Sequence, residues 1–351
     1  MQEVGRVTLT QFIIDQQRKA EGATGDFSAL LNDIATASKT ISHAISRGCL
    51  GSEGEDPQLY LEKFAHDAMI KGDIWAGHLA GIASEAAEGF LPIPPEYPRG
   101  KYLLIFDPLN GSGNLDINFM TGTIFSVLHA PDPSRPATVE DFLQSGRNLV
   151  AAGFVLYGAS TRLVYTTGQG VNGFTLDRDL GEFILTHRNM RLPETASTFA
   201  INASNERHWE PPVRRYVQEL LAGKEGPRGR DFGMRWASSL IAETFRILVR
   251  GGVFLYPVDE KTREAGGRLG LIYEANPIAF IIEQAGGGAI TGRNRLLDVT
   301  PSALHQRAPF IFGTKSEVER IHRYHVDYIE GRDHNSYDLP LFGSRSLFRN
   351  T

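Results

Sequence analysis

The stretch Lys101-Tyr102-Leu103-Leu104-Ile105-Phe106-Asp107-Pro108-Leu109-Asn110-Gly111-Ser112-Gly113-Asn114 runs from apolar residues into an aspartate and then a glycine-rich turn. A strand ending this way presents a carboxylate and backbone N–H groups at one point. A divalent cation takes the carboxylate, and a phosphate takes the N–H groups. Asp107 and the carbonyl of Leu109 can supply two oxygens to one ion. Glu85 and Glu274 stand in comparable settings, at a strand end and a helix start, and Asp67 lies on a helix from which it can join them. Mg²⁺ usually takes one or two carboxylates with water and phosphate oxygens. Singly, each acid reads better as a surface charge or a helix cap. Their shared association with turn chemistry favours a metal site, provided that the fold brings them together.

Positioning such a site takes a sizeable core, and 351 residues with 41% hydrophobic and 22% charged content suffice for two domains. A formal net charge of −5 argues against nucleic acid or an anionic membrane as partner, although the 36 lysines and arginines leave room for a local basic pocket. One cysteine, Cys49, excludes an internal disulfide and a thiolate metal cluster, and it reads as a small buried hydrophobe. No secretory signal or membrane-spanning run stands out, so the cytoplasm is the expected location.

Apolar spacing predicts helices over Leu30–Ile45 and Leu61–Ile74, and a short strand over Leu79–Ala83. Met1 to Arg18 carries only scattered apolar residues. Gly89 to Gly100, with four prolines, reads as a loop or hairpin. Strands are predicted over Tyr102–Phe106, Thr123–Leu128, Val150–Tyr157, Leu163–Thr167, Gly173–Leu176 and Phe183–Thr186. Beyond a polar boundary at Arg191 to Ser197, helices are expected over Val213–Leu221, Ser239–Val249 and Pro277–Gln284, with strands over Val253–Tyr256 and Phe310–Phe312. Interleaved strands and helices point to an α/β or α+β fold. The expected division is 1–192, 193–330 and a polar tail, 331–351.

Other residues carry weaker signals. Ala23 to Ser28 opens the first clear helix, where backbone N–H groups can bind phosphate or simply be capped. His305-Gln306-Arg307 has no companion serine or cysteine motif and reads as structural. His322 and His325 read as a solvated helix face.

Several blocks resemble the class 1 fructose-1,6-bisphosphatase family, in family order and over roughly Thr8 to Tyr328. They include Ile82-Ala83-Ser84-Glu85, Lys101 through Asp116, Gly122-Thr123-Ile124-Phe125, Asn148 through Gly153, Gly251 through Pro257, Leu271 through Pro277, and Leu304-His305-Gln306-Arg307. The resemblance implies a layered α/β/α/β/α sandwich of the sugar phosphatase type, usually a homotetramer, acting in carbohydrate metabolism such as gluconeogenesis. It implies hydrolysis of the 1-phosphate of fructose 1,6-bisphosphate with Mg²⁺, or with Mn²⁺ in its place. By motif, Glu85, Asp107, Leu109, Asn110 and Glu274 fall on metal positions, and Asp67 and Glu85 on catalytic ones. Asn110, Gly111, Ser112 and Gly113 fall on the turn for the 1-phosphate. Asn202, Arg235, Trp236, Tyr256 and Arg268 fall on positions for the sugar and the 6-phosphate. Thr24, Gly25, Lys101 and Tyr102 match the family's site for AMP, and His129 stands there in place of an arginine.

The departures cluster on the site. Asn110 replaces an aspartate, Ala86 a second glutamate, Gly113 a serine, Trp236 a tyrosine and Arg268 a lysine. Loss of carboxylates weakens the pull on Mg²⁺, so reduced activity is expected. The alternative is a non-catalytic homologue that binds a sugar phosphate or AMP in a regulatory role. If the segment after Glu85 is helical, Glu88 one turn on can stand in for the missing glutamate.

Overall fold

The computed structural model describes residues 6–18, 25–48, 50 and 54–332. Thr24, Cys49 and residues 333–351 of the expected tail lie outside the described residues.

Three helices open the chain: α1 (Leu9–Gln17), α2 (Asp26–Ser46) and α3 (Pro57–Asp73). α1 was not legible as periodicity, but Thr8 and Gln11 close a capping box at its start, and Leu9, Phe12 and Ile13 are buried. In α2 the spacing of Leu30, Leu31, Ile34, Ala37 and Ile41 fixes one buried face. At α3, Asp56 caps the start by accepting from the amides of Gln58 and Leu59, and Pro57 at the first helical position keeps the helix from starting earlier.

An eight-stranded sheet follows. Its strands are β1 (Leu79–Ser84), β2 (Phe90–Pro92), β3 (Tyr102–Asn110), β4 (Thr121–His129), β5 (Leu149–Tyr157), β6 (Arg162–Thr166), β7 (Val171–Asp177) and β8 (Glu182–Met190). Their spatial order is β2-β1-β3-β4-β5-β6-β7-β8, and β1 and β3 run parallel. A short helix, α4 (Val139–Phe142), sits between β4 and β5.

The second half supplies β9 (Thr198–Ile201), α5 (Pro211–Leu221), β10 (Gly233–Met234), α6 (Leu240–Arg250) and β11 (Val253–Tyr256). It continues with β12 (Leu269–Gly270), α7 (Asn276–Gln284), β13 (Gly288–Ile290), β14 (Arg307–Ala308), β15 (Phe310–Gly313) and α8 (Lys315–Ile329). A five-stranded sheet runs β10-β9-β11-β15-β13, and β12 pairs with β14.

Successive side chains of β3 are buried on opposite faces of the large sheet. Leu104 and Phe106 join the core beneath α1, α2 and α3, whereas Leu103 and Ile105 join the core shared with α6, α7 and the second sheet. A third core lies between the outer face of that second sheet and α5 and α8. The stacking is therefore helix, sheet, helix, sheet, helix, the layered α/β arrangement expected. Among the described residues no helix is long and apolar enough to cross a membrane.

Two local readings change. The segment after Glu85 is turn and bend rather than helix, and Glu88 is exposed. His325 is buried, 2% exposed, with Nδ1 at 2.9 Å from the carbonyl of Ile321, so it does not belong to a solvated face. α8 turns that side toward the core because Val318, Ile321 and Tyr324 lie along it.

One buried ion pair ties α8 to the loop after α5. Glu317 accepts from Tyr216 Oη at 2.8 Å and pairs with Arg228 at 2.5 Å, the two charged side chains being 2% and 4% exposed. Glu317→Ala strands the Arg228 guanidinium, at an expected cost of about 3–5 kcal/mol. Thermal melting of Glu317→Ala should show a clear drop, and unchanged melting would show that the pair carries no such stability.

Candidate active site

The large sheet bends at the end of β3. Asp107 stands opposite Ile124 and Asn110 opposite Gly122, so three steps on β3 match two on β4. That is a bulge. In a regular strand, residues three apart face opposite sides; the extra residue turns Asp107 and Asn110 to one side. Asn110 Nδ2 then donates to Asp107 Oδ2 at 2.9 Å. β3 therefore runs on to Asn110 rather than stopping at Phe106. The bulge is pinned by Thr123, whose hydroxyl donates to the Pro108 carbonyl at 2.8 Å and meets Tyr157 Oη at 2.9 Å. Gly122 suits the crossing, because a Cβ there would lie 2.1 Å from the Val155 carbonyl. Gly111 follows at φ 76°, a left-handed turn that glycine takes without strain, and it leads into a short 3₁₀ turn over Ser112–Asn114.

Glu274 arrives from the other half of the chain, on a π-helical turn over Leu271–Ala275 that runs into α7. Such widened turns occur frequently at functional positions. The Gly270 amide donates to Glu274 Oε2 at 2.6 Å, and Asn110 Nδ2 donates to Glu274 Oε1 at 2.8 Å. One side-chain amide thus bridges two acids that are 164 residues apart from Asn110 in one case and three in the other. Asp107 is 6% exposed and Glu274 9%. Burial pushes the Asp107 carboxyl well above the usual carboxylate range, and the negative neighbours Glu274 and Glu85 add to it. Burial also pushes Glu274 up, with Glu85 adding to the effect.

These groups open on a cleft of about 650 Å³ lined by Glu62, Glu85, Asp107, Asn110, Gly111, Ser112, Lys261, Arg268, Glu274 and Arg307, among others. Acids and cations share one concavity, a composition suited to a hard cation together with an anionic group. Carboxylate and carbonyl oxygens of Asp107, Glu274, Glu85 and Leu109 are donors of the hard type that a divalent cation such as Mg²⁺ takes. As they stand, no three acidic, histidine or cysteine side chains among the described residues converge closely enough to hold an ion. The Asn110 amide lies between the two buried acids instead.

Of the residues expected from sequence, the cleft gathers Glu85, Asp107, Leu109, Asn110, Gly111, Ser112, Arg268 and Glu274. Asp67 is not brought there. It is 45% exposed, pairs with Lys71 at 3.3 Å and lines a different cleft, between α2 and α3. Glu62 takes the position beside Ser112: Gln58 Nε2 donates to Glu62 Oε1 at 3.0 Å and to Ser112 Oγ at 3.3 Å. Five residues on a helix are about 140° apart around its axis, so Glu62 and Asp67 cannot share a face. The signal was present in the Gln58–Glu62 spacing, one helical turn.

Gly113, Asn202, Arg235, Trp236 and Tyr256 do not line the cleft. Asn202 caps a 3₁₀ turn through its side chain, and Arg235 is exposed with Nη1 on the Met234 carbonyl at 2.8 Å. Trp236 stacks on Phe254 and meets Tyr256 edge-on at 5.7 Å. Tyr256 in turn lies under the Arg268 guanidinium at 5.3 Å, so both aromatics back the cleft wall. Lys261 and Thr262 were not singled out from sequence, and Arg307 was read there only as structural; they sit in loops and a two-residue strand that carry no periodicity. His305 Nε2 meets the Ala87 carbonyl at 2.9 Å, a structural contact as expected.

A separate cavity of about 290 Å³ is lined by Gly25, Lys101 and Tyr102, with Ser28, Gln17 and Thr166 among the rest. Gly25 holds φ 88° at the start of α2, Lys101 pairs with Asp26 at 3.3 Å, and His129 stacks on Tyr102 at 5.1 Å.

Comparison with known proteins follows the same two halves. Residues 7–188 match the family model "Fructose-1-6-bisphosphatase, N-terminal domain", and residues 192–326 match "Fructose-1-6-bisphosphatase, C-terminal domain". The class 1 fructose-1,6-bisphosphatase of Hydrogenophilus thermoluteolus is 52% identical over 353 aligned positions, covering 97% of each chain. A class 1 fructose-1,6-bisphosphatase of Methylibium petroleiphilum is 51% identical, covering 98% of each. A crystal structure of Leishmania major fructose-1,6-bisphosphatase in holo form superposes with a TM-score of 0.84 at 35% identity, covering 91% of this chain and 99% of that one. With this agreement in sequence along the whole length, and in the layered architecture that carries the cleft, the chain belongs to the class 1 fructose-1,6-bisphosphatase family.

Proposed function

We propose that this chain hydrolyses the 1-phosphate of fructose 1,6-bisphosphate with Mg²⁺, Mn²⁺ serving in its place. The observation that carries the reading is the meeting of Asp107 and Glu274, from the two halves of the chain, in one cleft with Lys261, Arg268 and Arg307. Asp107, Glu274, Glu85 and the Leu109 carbonyl would hold the cation. When bound, a divalent cation lowers the pKa of a coordinated water and neutralises charge on phosphate oxygens.

The chain's own residues do the rest. Glu62, beside Ser112, accepts the proton of the attacking water, the task that the family resemblance implied for Asp67. The Ser112 hydroxyl and the backbone of Gly111 and Ser112 hold the phosphoryl group that is transferred. Arg268 and Arg307 offer forked donors to a second phosphate, and Lys261 offers a point charge. Tyr256 and Trp236 keep Arg268 in place. In this reading residues 1–192 carry most of the cation site and 193–330 the sugar-phosphate wall. The family resemblance extends the proposal to a cytoplasmic homotetramer working in gluconeogenesis, with AMP acting at the cavity of Gly25, Lys101 and Tyr102.

Ala86 and Asn110 favour one second reading, a homologue that binds the sugar phosphate without turning it over. Phosphate release from fructose 1,6-bisphosphate, measured beside an Asn110→Asp, Ala86→Glu double variant, separates the two. Turnover by the natural chain supports hydrolysis; turnover by the restored variant alone supports the second reading.

Two substitutions test the roles. Asp107→Ala should abolish phosphate release while melting as a folded protein, and an unchanged kcat would remove Asp107 from the site. Glu62→Gln should lower kcat by about 10²–10⁴, whereas Asp67→Asn should stay within about twofold, as an exposed paired carboxylate should. The reverse ranking would return the proton-accepting role to Asp67.

A further inference from the structure

We propose that Asn110 sets this protein's affinity for divalent cations by acting as a built-in donor that holds Asp107 and Glu274 together in the cation-free state. The inference rests on the assignment of those two acids as cation ligands. Their carboxylates both accept from one Nδ2, at 2.9 Å and 2.8 Å. An amide side chain between two carboxylates can satisfy them only with its nitrogen, since its oxygen would add a third acceptor to the group. The remaining partners of the acids are backbone amides: Leu109 N on Asp107 Oδ1 at 3.2 Å and Gly270 N on Glu274 Oε2 at 2.6 Å. Every oxygen of the pair is thus hydrogen-bonded without a cation.

A cation entering between the acids competes with two charge-assisted hydrogen bonds. To give the cation an oxygen, the amide must rotate about Cβ–Cγ and break both of them. An aspartate at this position has no hydrogen to give. It would bring a third carboxylate against two buried ones, a repulsion that a bound cation or an added proton relieves. Asparagine therefore stabilises the empty site and weakens the loaded one, and aspartate does the reverse.

Full-length natural protein, Asn110→Asp and Asn110→Ala should be melted in EDTA and across a Mg²⁺ titration. Their Mg²⁺ affinities should be measured by calorimetry without substrate. In EDTA both variants should melt below the natural chain. Asn110→Asp should show the largest Mg²⁺-induced rise in melting temperature and bind Mg²⁺ at least about tenfold more tightly than the natural chain. Asn110→Ala removes the bridge without adding charge, so its lower melting in EDTA reports the bridge alone. Equal Mg²⁺ affinity of the natural chain and Asn110→Asp overturns the inference while leaving the ligand assignment standing. So does melting of both variants in EDTA at or above the natural chain. No Mg²⁺ binding by either protein at millimolar concentration overturns the ligand assignment itself, and the inference with it.

Discussion

The site depends on one extra residue at the end of β3. Without the bulge, Asp107 and Asn110 would face opposite sides of the sheet, and no side chain from this strand could reach both Asp107 and Glu274. The bulge survives because its neighbours fit it. Pro108 needs no ladder hydrogen bond, Thr123 satisfies its carbonyl, and Gly122 lets β4 pass close to β5. A side chain at Gly122 would push on the β5 backbone, so this glycine, remote from any chemistry, is part of what aims the acids.

The second constraint is that two stretches far apart in the chain must meet there. The eight-stranded sheet supplies Asp107 and Asn110, and the π turn before α7 supplies Glu274. α7 packs against the large sheet through Ile278, Ala279 and Ile282, within the same core as Ile105 and Phe154. Apolar burial thus brings the acids close, and their mutual repulsion has to be offset locally by the Asn110 amide and by backbone N–H groups. The net negative charge of the chain gives no hint of this arrangement. Acids and cations alternate within one cleft, so the bulk charge averages away what the cleft concentrates.

Sequence disclosed most of the fold because the strands are buried on both faces and read as continuous apolar runs, as in Tyr102–Phe106 and Val150–Tyr157. It marked Asp107, Glu85 and Glu274, which line one cleft, because turn chemistry and family motifs point to them. It put Asp67 in the cleft, where the structure has Glu62, because a helix presents several acids to the solvent and only packing decides which face meets the cleft. Glu62 and Asp67 are both plausible by residue type, and the Gln58–Glu62–Ser112 contact separates them. Lys261 stayed hidden and Arg307 passed as structural since loops carry no period, and the cleft is where loops from distant positions converge. His325 was misread because α8 is polar on average while its buried stripe is narrow.

Asn110 shows how a single atom changes the balance between holding a structure and doing chemistry. Replacing a carboxylate oxygen by an N–H₂ leaves the shape of the side chain unchanged and converts an acceptor into a donor. Next to two buried acids that exchange turns repulsion into two hydrogen bonds, so the fold gains from the very group that a cation must displace. The same bulge that brings the acids together for a cation is what allows the amide to reach both of them. A tighter empty site and a weaker hold on the cation are therefore one consequence of one geometry, and neither can be selected without the other.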